Sequence, residues 1–153
     1  MIKILFVCHG NICRSTMAES IMTDYVRRAG LADQFEIASA ATSTEEIGNG
    51  VHYGTQEKLR REGIPLVEHR AVQMTRADYD HYDYLIGMDS ANIRNMGRIA
   101  GGDPQHKICR LLDFSDRMGM DIADPWYTGD FDETYRDIVE GCTGLLKVCR
   151  ERL

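Results

Sequence analysis

The stretch Val7-Cys8-His9-Gly10-Asn11-Ile12-Cys13-Arg14-Ser15 constrains this chain more tightly than any other. It follows the apolar run Ile2 to Val7, broken only by Lys3, and leads into Thr16-Met17-Ala18-Glu19-Ser20-Ile21-Met22, where apolar positions recur at helical spacing. The spacing predicts a strand, a tight loop and a helix in that order. A loop that enters a helix turns successive backbone N–H groups toward one point, where the helix dipole also favours negative charge. Such a loop is an oxyanion site, and phosphate fits it. Cys8 opens the loop, where converging N–H groups and a nearby guanidinium favour the thiolate, the form that attacks. Arg14 can bind two phosphate oxygens at once with its planar fork, and more strongly as charge builds on a transferring phosphoryl group. Ser15, at the helix entrance, can cap the helix or donate to the Cys8 sulfur.

Strand candidates recur at Ile2 to Val7, Phe35 to Ala40, Tyr84 to Met88 and Ile108 to Leu112. Helix-like segments near 15 to 29, 53 to 62, 90 to 100 and 131 to 150 separate or follow them. This alternation predicts an α/β fold, a parallel sheet with helices on both faces, whose ligands bind beyond the carboxyl ends of the strands. The Cys8 loop lies at such an end. No internal repeat, low-complexity tract or linker interrupts the chain, so residues 1–153 are read as a single domain.

Charge and cysteine usage narrow the function classes. Eighteen basic against twenty-four acidic residues give a net charge of −6, which argues against a general nucleic-acid binder. The five cysteines, 8, 13, 109, 142 and 149, form no CxxC pair and no zinc-type spacing, and their odd number suits reduced thiols in a reducing compartment. No Walker motif or metal-binding cluster is visible, so no cofactor or metal is expected. No signal peptide, membrane span or lipidation motif is visible either, which leads to the expectation of a cytoplasmic protein without a membrane partner.

Phosphoryl transfer from an ester to a thiolate needs an acid for the leaving oxygen, and the same group, ionised, can then activate water. Asp124, in Asp124-Pro125-Trp126-Tyr127, is the best candidate, because Pro125 biases it toward an extended conformation that presents its carboxylate in a defined direction. Taken alone, Asp-Pro is also a turn signal. The segment Ser39 to Gly50 reads either as one wall of a pocket or as a solvated loop. His69 by itself reads as structural or exposed, and Asp89 or Ser90 as the cap of the next helix.

Together these residues resemble the low molecular weight protein tyrosine phosphatases. The likeness rests on Val7 to Ser15, on Met17-Ala18-Glu19, and on Asp124-Pro125-Trp126-Tyr127, and extends through Ser39-Ala40-Ala41-Thr42-Ser43, Gly63-Ile64-Pro65, Met88-Asp89-Ser90-Ala91-Asn92 and the last helix. It implies a three-layer sandwich around a four-stranded parallel sheet, and hydrolysis of phosphotyrosine proteins or peptides through a cysteinyl phosphate. It also implies a phosphate loop running from Cys8 through His9, Gly10, Asn11, Ile12, Cys13 and Arg14 to Ser15, with Asp124 as acid and base. Asn11, bonded to Ser15, Ser39 and the His69 region, would hold the loop, with Glu19 in support. Cys13 would match a second loop cysteine able to pair with Cys8 under oxidation; the alternative is a small buried thiol. Phosphate and other oxyanions would inhibit, and the protein would be a monomer or weak dimer.

Three departures bear on specificity. Glu45 stands where the family usually has an aromatic wall residue, Gly50-Val51-His52 replaces a proline-rich segment, and Trp126 replaces the first of two tyrosines, leaving Tyr127 as the second. A carboxylate at 45 is expected to repel anionic peptides, and Trp126 can supply the missing ring. Arginine phosphatases share the scaffold but resemble a loop with Thr where this chain has Ile12. Arsenate reductases need further cysteines on a mobile segment, and Asp80 to Ser90 contains none. A non-catalytic phosphate-binding module would be expected to lack Cys8, Arg14 or Asp124.

Overall fold

In a computed structural model that describes residues 1–153, the strands are β1 (Ile2–Cys8), β2 (Phe35–Ala41), β3 (Tyr84–Gly87) and β4 (Ile108–Arg110). They form one sheet in the order β2-β1-β3-β4 with every pair parallel. The helices are α1 (Arg14–Arg28), α2 (Tyr53–Arg61), α3 (Arg76–His81), α4 (Ser90–Ala100), α5 (Pro125–Thr128) and α6 (Phe131–Arg150). A parallel sheet must cover both faces, and β1 shows how the sequence arranges it. Its side chains alternate across the sheet with a period of two. Ile4 and Phe6 join Met17, Ile21 and Met22 of α1 and Ile138, Cys142 and Leu145 of α6 on one face. Leu5 and Val7 join Tyr79 of α3 and Met96 and Ala100 of α4 on the other. The result is the expected three-layer α/β sandwich. Each buried Val, Leu, Ile, Phe or Met among them contributes roughly 1.5–3 kcal/mol of hydrophobic stabilisation.

Two short helices went unanticipated, although their signals are in the sequence. α3 follows a reciprocal capping box in which the Thr75 N–H donates to Asp78 Oδ2 at 2.8 Å. α5 starts with Asp124 as cap and Pro125 at its first position, a pattern as good for a helix start as for a turn. The fourth strand ends earlier than its apolar run, because the Asp113 side chain accepts the Arg110 N–H at 3.0 Å and starts a 3-10 turn over Leu111–Phe114. That turn packs tightly under α6. A Cβ at Gly144 would lie 1.8 Å from the Phe114 carbonyl oxygen, so only glycine allows this approach. No helix is long and apolar enough to cross a membrane.

Candidate active site

The site is built where β1 ends. Residues 9–13 turn from the Cys8 end of the strand into α1, and Asn11 takes a left-handed backbone conformation at φ 60°, uncommon outside glycine. Cys13 precedes the helix without a side-chain cap, so no side chain competes for the first amides of α1. The loop's shape is fixed from below by side chains. Asn11 Oδ1 accepts the Val72 N–H at 3.2 Å and lies 2.6 Å from His69 Nε2. An amide oxygen only accepts, so His69 carries its proton on Nε2, and Asn11 Nδ2 is left to donate to Ser15 Oγ at 2.7 Å. With its oxygen occupied in that way, the Ser15 hydroxyl can turn its own proton to Cys8 Sγ, 3.0 Å away. Four residues thus form one directed chain ending at the sulfur.

Glu19 and Ser39 flank this chain. The Ser39 hydroxyl donates to Glu19 Oε1, and that same carboxylate oxygen lies 4.0 Å from His69 Nδ1. The expected bond between Asn11 and Ser39 is not formed. Ser39, paired with Phe6 across the sheet, reaches Glu19 on α1 instead, so its support arrives through Glu19 and His69. Burial pushes the His69 pKa below its ordinary value, which keeps the ring neutral, and pushes the Glu19 pKa up against the opposing bond from Ser39.

Arg14 is the first residue of α1 and only 2% exposed. Its Nη1 donates to Asp89 Oδ2 at 2.7 Å and to the Ile122 carbonyl at 2.8 Å, and its Nη2 reaches Asp124 Oδ2 at 3.4 Å. Burial alone would weaken the guanidinium's charge, but Cys8, Asp124 and Asp89 more than compensate and hold its pKa above the usual value. Asp89 is a residue whose second role the sequence reading missed. It does cap α4, accepting the Asn92 N–H at 2.8 Å, and with its other oxygen it orients Arg14. Its place just after β3, at the same carboxyl end of the strands as Cys8, is the signal that could have revealed this.

Asp124 is held over the loop from the far end of the chain. The Ile122 N–H donates to the Met88 carbonyl at 2.8 Å, and Thr134 Oγ1 of α6 donates to the Ala123 carbonyl at 3.0 Å. Asp124 Oδ1 caps α5 through the Trp126 N–H at 3.0 Å, which leaves Oδ2 facing Arg14. Cys8, Cys13, Ile12 and Asp124 line one cleft, with His9, Gly10, Glu45, Glu46, Trp126 and Tyr127 around it.

The polar segment after β2 does form a wall. Thr42 N donates to the Cys8 carbonyl at 2.9 Å, Ser43 N to the His9 carbonyl at 3.1 Å, and His52 N to the Ile12 carbonyl at 2.9 Å. Glu45 therefore stands at the cleft mouth, where its Oε2 meets His9 Nε2 at 2.8 Å. Neither that pair nor the presence of Glu46 was foreseen. All five cysteines are free, Cys8 and Cys13 included. The Cys13 thiol is pushed up to about 12, chiefly by burial and then by Cys8 and Asp124, against Arg14, so it rests protonated. No group of three or more His, Cys, Asp or Glu side chains is placed to hold a metal ion.

Comparison with known proteins agrees with this geometry. The profile described as low molecular weight phosphotyrosine protein phosphatase matches residues 3–153. The chain is 45% identical over 147 residues to the low molecular weight protein-tyrosine-phosphatase YfkJ of Bacillus subtilis, covering 95% of this chain and 94% of that one. The crystal structure of YfkJ superposes with a TM-score of 0.95 at 43% identity, over 99% of this chain and 96% of that one. The human low molecular weight phosphotyrosine protein phosphatase is 36% identical over 152 residues, covering 95% and 94% of the two chains. A drosophila arginine phosphatase shares the fold more distantly, with a TM-score of 0.84 at 27% identity over 95% and 96%. The chain belongs to the low molecular weight phosphotyrosine protein phosphatase family.

Proposed function

We propose that this chain hydrolyses phosphotyrosine in proteins or peptides, and other aryl phosphates, with Cys8 as nucleophile, Arg14 as phosphate clamp and Asp124 as general acid and base. The observation that carries this reading is that Cys8 and Asp124, more than a hundred residues apart in the chain, line one cleft, with the buried Arg14 reaching Asp124 at 3.4 Å and a directed hydrogen-bond chain ending at the Cys8 sulfur.

In the first step Cys8 Sγ, as thiolate, attacks phosphorus and forms the S–P bond, while the P–O bond to the phenol breaks and Asp124 gives its proton to the leaving oxygen. Arg14 and the amides of residues 9–15 gather the charge on the three equatorial oxygens. Arg14 is preset for this, since Asp89 and Ile122 fix Nη1, and Nη2 has only the long contact with Asp124 to give up. In the second step Asp124, now ionised, takes a proton from water as that water attacks phosphorus. The S–P bond breaks, inorganic phosphate leaves, and the Ser15 hydroxyl stabilises the returning thiolate. Arg14 and the amides supply the neutralisation, so the reaction runs without a metal. Free phosphate and other tetrahedral oxyanions compete for the same cradle.

Ile12 narrows the cleft from inside and favours an aromatic ester over phosphoarginine, and residues 80–90 carry no cysteine for an arsenate relay. The test is turnover of a phosphotyrosine peptide, phosphoarginine and arsenate by one preparation in the presence of a chelator. Turnover of the peptide alone is expected; turnover of either other substrate at a higher rate overturns the assignment. The redox reading is that peroxide converts the Cys8 thiolate to a sulfenic acid, which condenses with the Cys13 thiol to a disulfide and water. Thiol-reversible inactivation by peroxide is expected, becoming irreversible in Cys13→Ser; full reversibility in that variant would overturn it.

A further inference from the structure

Outside the cleft, side chains from three separate parts of the fold converge on one carboxylate. Asp121 Oδ1 accepts the backbone N–H of Ser90, the first residue of α4, at 3.0 Å and the Ser90 hydroxyl at 3.1 Å. Ser90 Oγ in turn accepts from Arg110 Nη2, at the end of β4, at 2.8 Å, and Arg110 Nε lies 3.2 Å from the same Asp121 oxygen. The bonds therefore run in one direction, from Arg110 through Ser90 to Asp121. The N-terminus of α4 adds a field that favours the carboxylate there. None of the three residues lines the cleft that holds Cys8 and Asp124.

What this cluster holds is the start of the segment that carries the acid. Ahead of it the chain makes a surface excursion, with Met118 76% and Met120 53% exposed, and Arg117 reaching Glu140 and Asp137 of α6. Past it, Ile122 is buried, and its carbonyl holds Arg14 Nη1. The Ala123 carbonyl is bonded to Thr134 of α6, and Asp124 follows. Asp121 ties the same segment to α4, so residues 121–124 are strung between two helices. Ser90 is also the neighbour of Asp89, which orients Arg14. The acid-bearing segment and the arginine thus share one fixed point, the N-terminus of α4.

Resting on the reading of Asp124 as general acid, we propose that Asp121 is a positioning residue: held by Ser90 and Arg110, it sets where the Asp124 carboxyl meets the leaving oxygen. Asp121 touches neither substrate nor phosphorus. Proton transfer depends steeply on distance and direction, so a small shift of the Asp124 carboxyl weakens protonation of the leaving oxygen. Arg14 keeps its bond to Asp89, so phosphate binding is spared. The Asp121 side chain is 49% exposed, so its ion pair adds little to overall stability.

The test is kcat/KM for phenyl phosphate, a poor leaving group, against dinitrophenyl phosphate, a good one, with inhibition by inorganic phosphate measured on the same preparations. Asp121→Ala should lose about tenfold with phenyl phosphate and less than about twofold with the dinitrophenyl ester, with phosphate inhibition changed by less than about twofold. Asp121→Asn keeps an acceptor for Ser90 and should recover about half or more of the phenyl phosphate rate. Added to Asp124→Ala, the Asp121→Ala change should cost less than about a further twofold, since no acid remains to be positioned. A protein that is merely less well folded loses both esters alike. Equal losses with the two esters, an unchanged phenyl phosphate rate in Asp121→Ala, weakened phosphate inhibition or a full further loss in the double variant each overturns the proposal. If Asp124→Ala by itself shows no dependence on the leaving group, the reading of Asp124 as acid fails and the proposal falls with it.

Discussion

The base and the mouth of the cleft are built by opposite means. At the base, Asn11, Arg14, Ser15, Glu19 and Ser39 are all buried polar residues, and each has a partner within the protein. Leaving one such group unpaired costs about 1–3 kcal/mol, so the arrangement admits few substitutions. At the mouth, His9, Glu45, Trp126 and Tyr127 are exposed, and their contacts with water compete with contacts among themselves. Buried bonds hold a geometry for chemistry, whereas exposed groups can change without disturbing it. On the proposed mechanism, catalysis is set at the base and selectivity at the mouth.

Breaking the base should have the larger effects. Cys8→Ser is expected to lower kcat by about a million-fold, since a hydroxyl has neither the nucleophilicity nor the neighbouring base it would need; steady-state hydrolysis of an aryl phosphate measures it. Asp124→Ala should cost roughly 100- to 10,000-fold with a poor leaving group and much less with a nitrophenolate, read from a leaving-group series. Equal losses across the series would deny Asp124 the acid role.

His69 gives a smaller effect, seen in stability. Its folded-state pKa is depressed by burial, so its contribution is complete above the unfolded value of about 6.5 and is lost as pH falls from there through the folded value. Glu19, shifted up, acts in the opposite sense, its contribution complete below about 4.5 and lost as pH rises through its folded value. Between pH 7 and 5, His69→Gln should therefore show a shallower fall in Tm than the unmodified protein, at a modest cost in stability near neutrality.

Changes at the mouth should be the smallest and fall on KM. Glu45→Trp is expected to lower KM for phosphotyrosine peptides a few-fold and to leave kcat for a small aryl phosphate within about twofold. An unchanged peptide KM would remove Glu45 from the substrate path.

The same contrast explains what could be read in advance. The four strands, the Cys8 loop and the long helices follow from periodicity, and Cys-x5-Arg-Ser names its chemistry because the residues lie together in the chain. Asp89 has an equally direct role but is seventy-five residues from Arg14. Its local signal, a helix cap, is true and conceals the second function. The relation of Ser39 to Glu19 depends on strand register and helix placement, which no motif encodes. His9 and Glu45 meet only because the wall segment folds back along the loop. Exposed pairs of that kind leave no periodic trace.

The central claim is that phosphate passes through the sulfur of Cys8. Asp124→Ala protein mixed with a radiolabelled aryl phosphate of good leaving group and quenched within milliseconds should retain label, up to one per chain, on the peptide that contains Cys8, as an acid-stable and iodine-labile thiophosphate ester. Label on any other residue, or continued turnover in Cys8→Ser, would contradict the account.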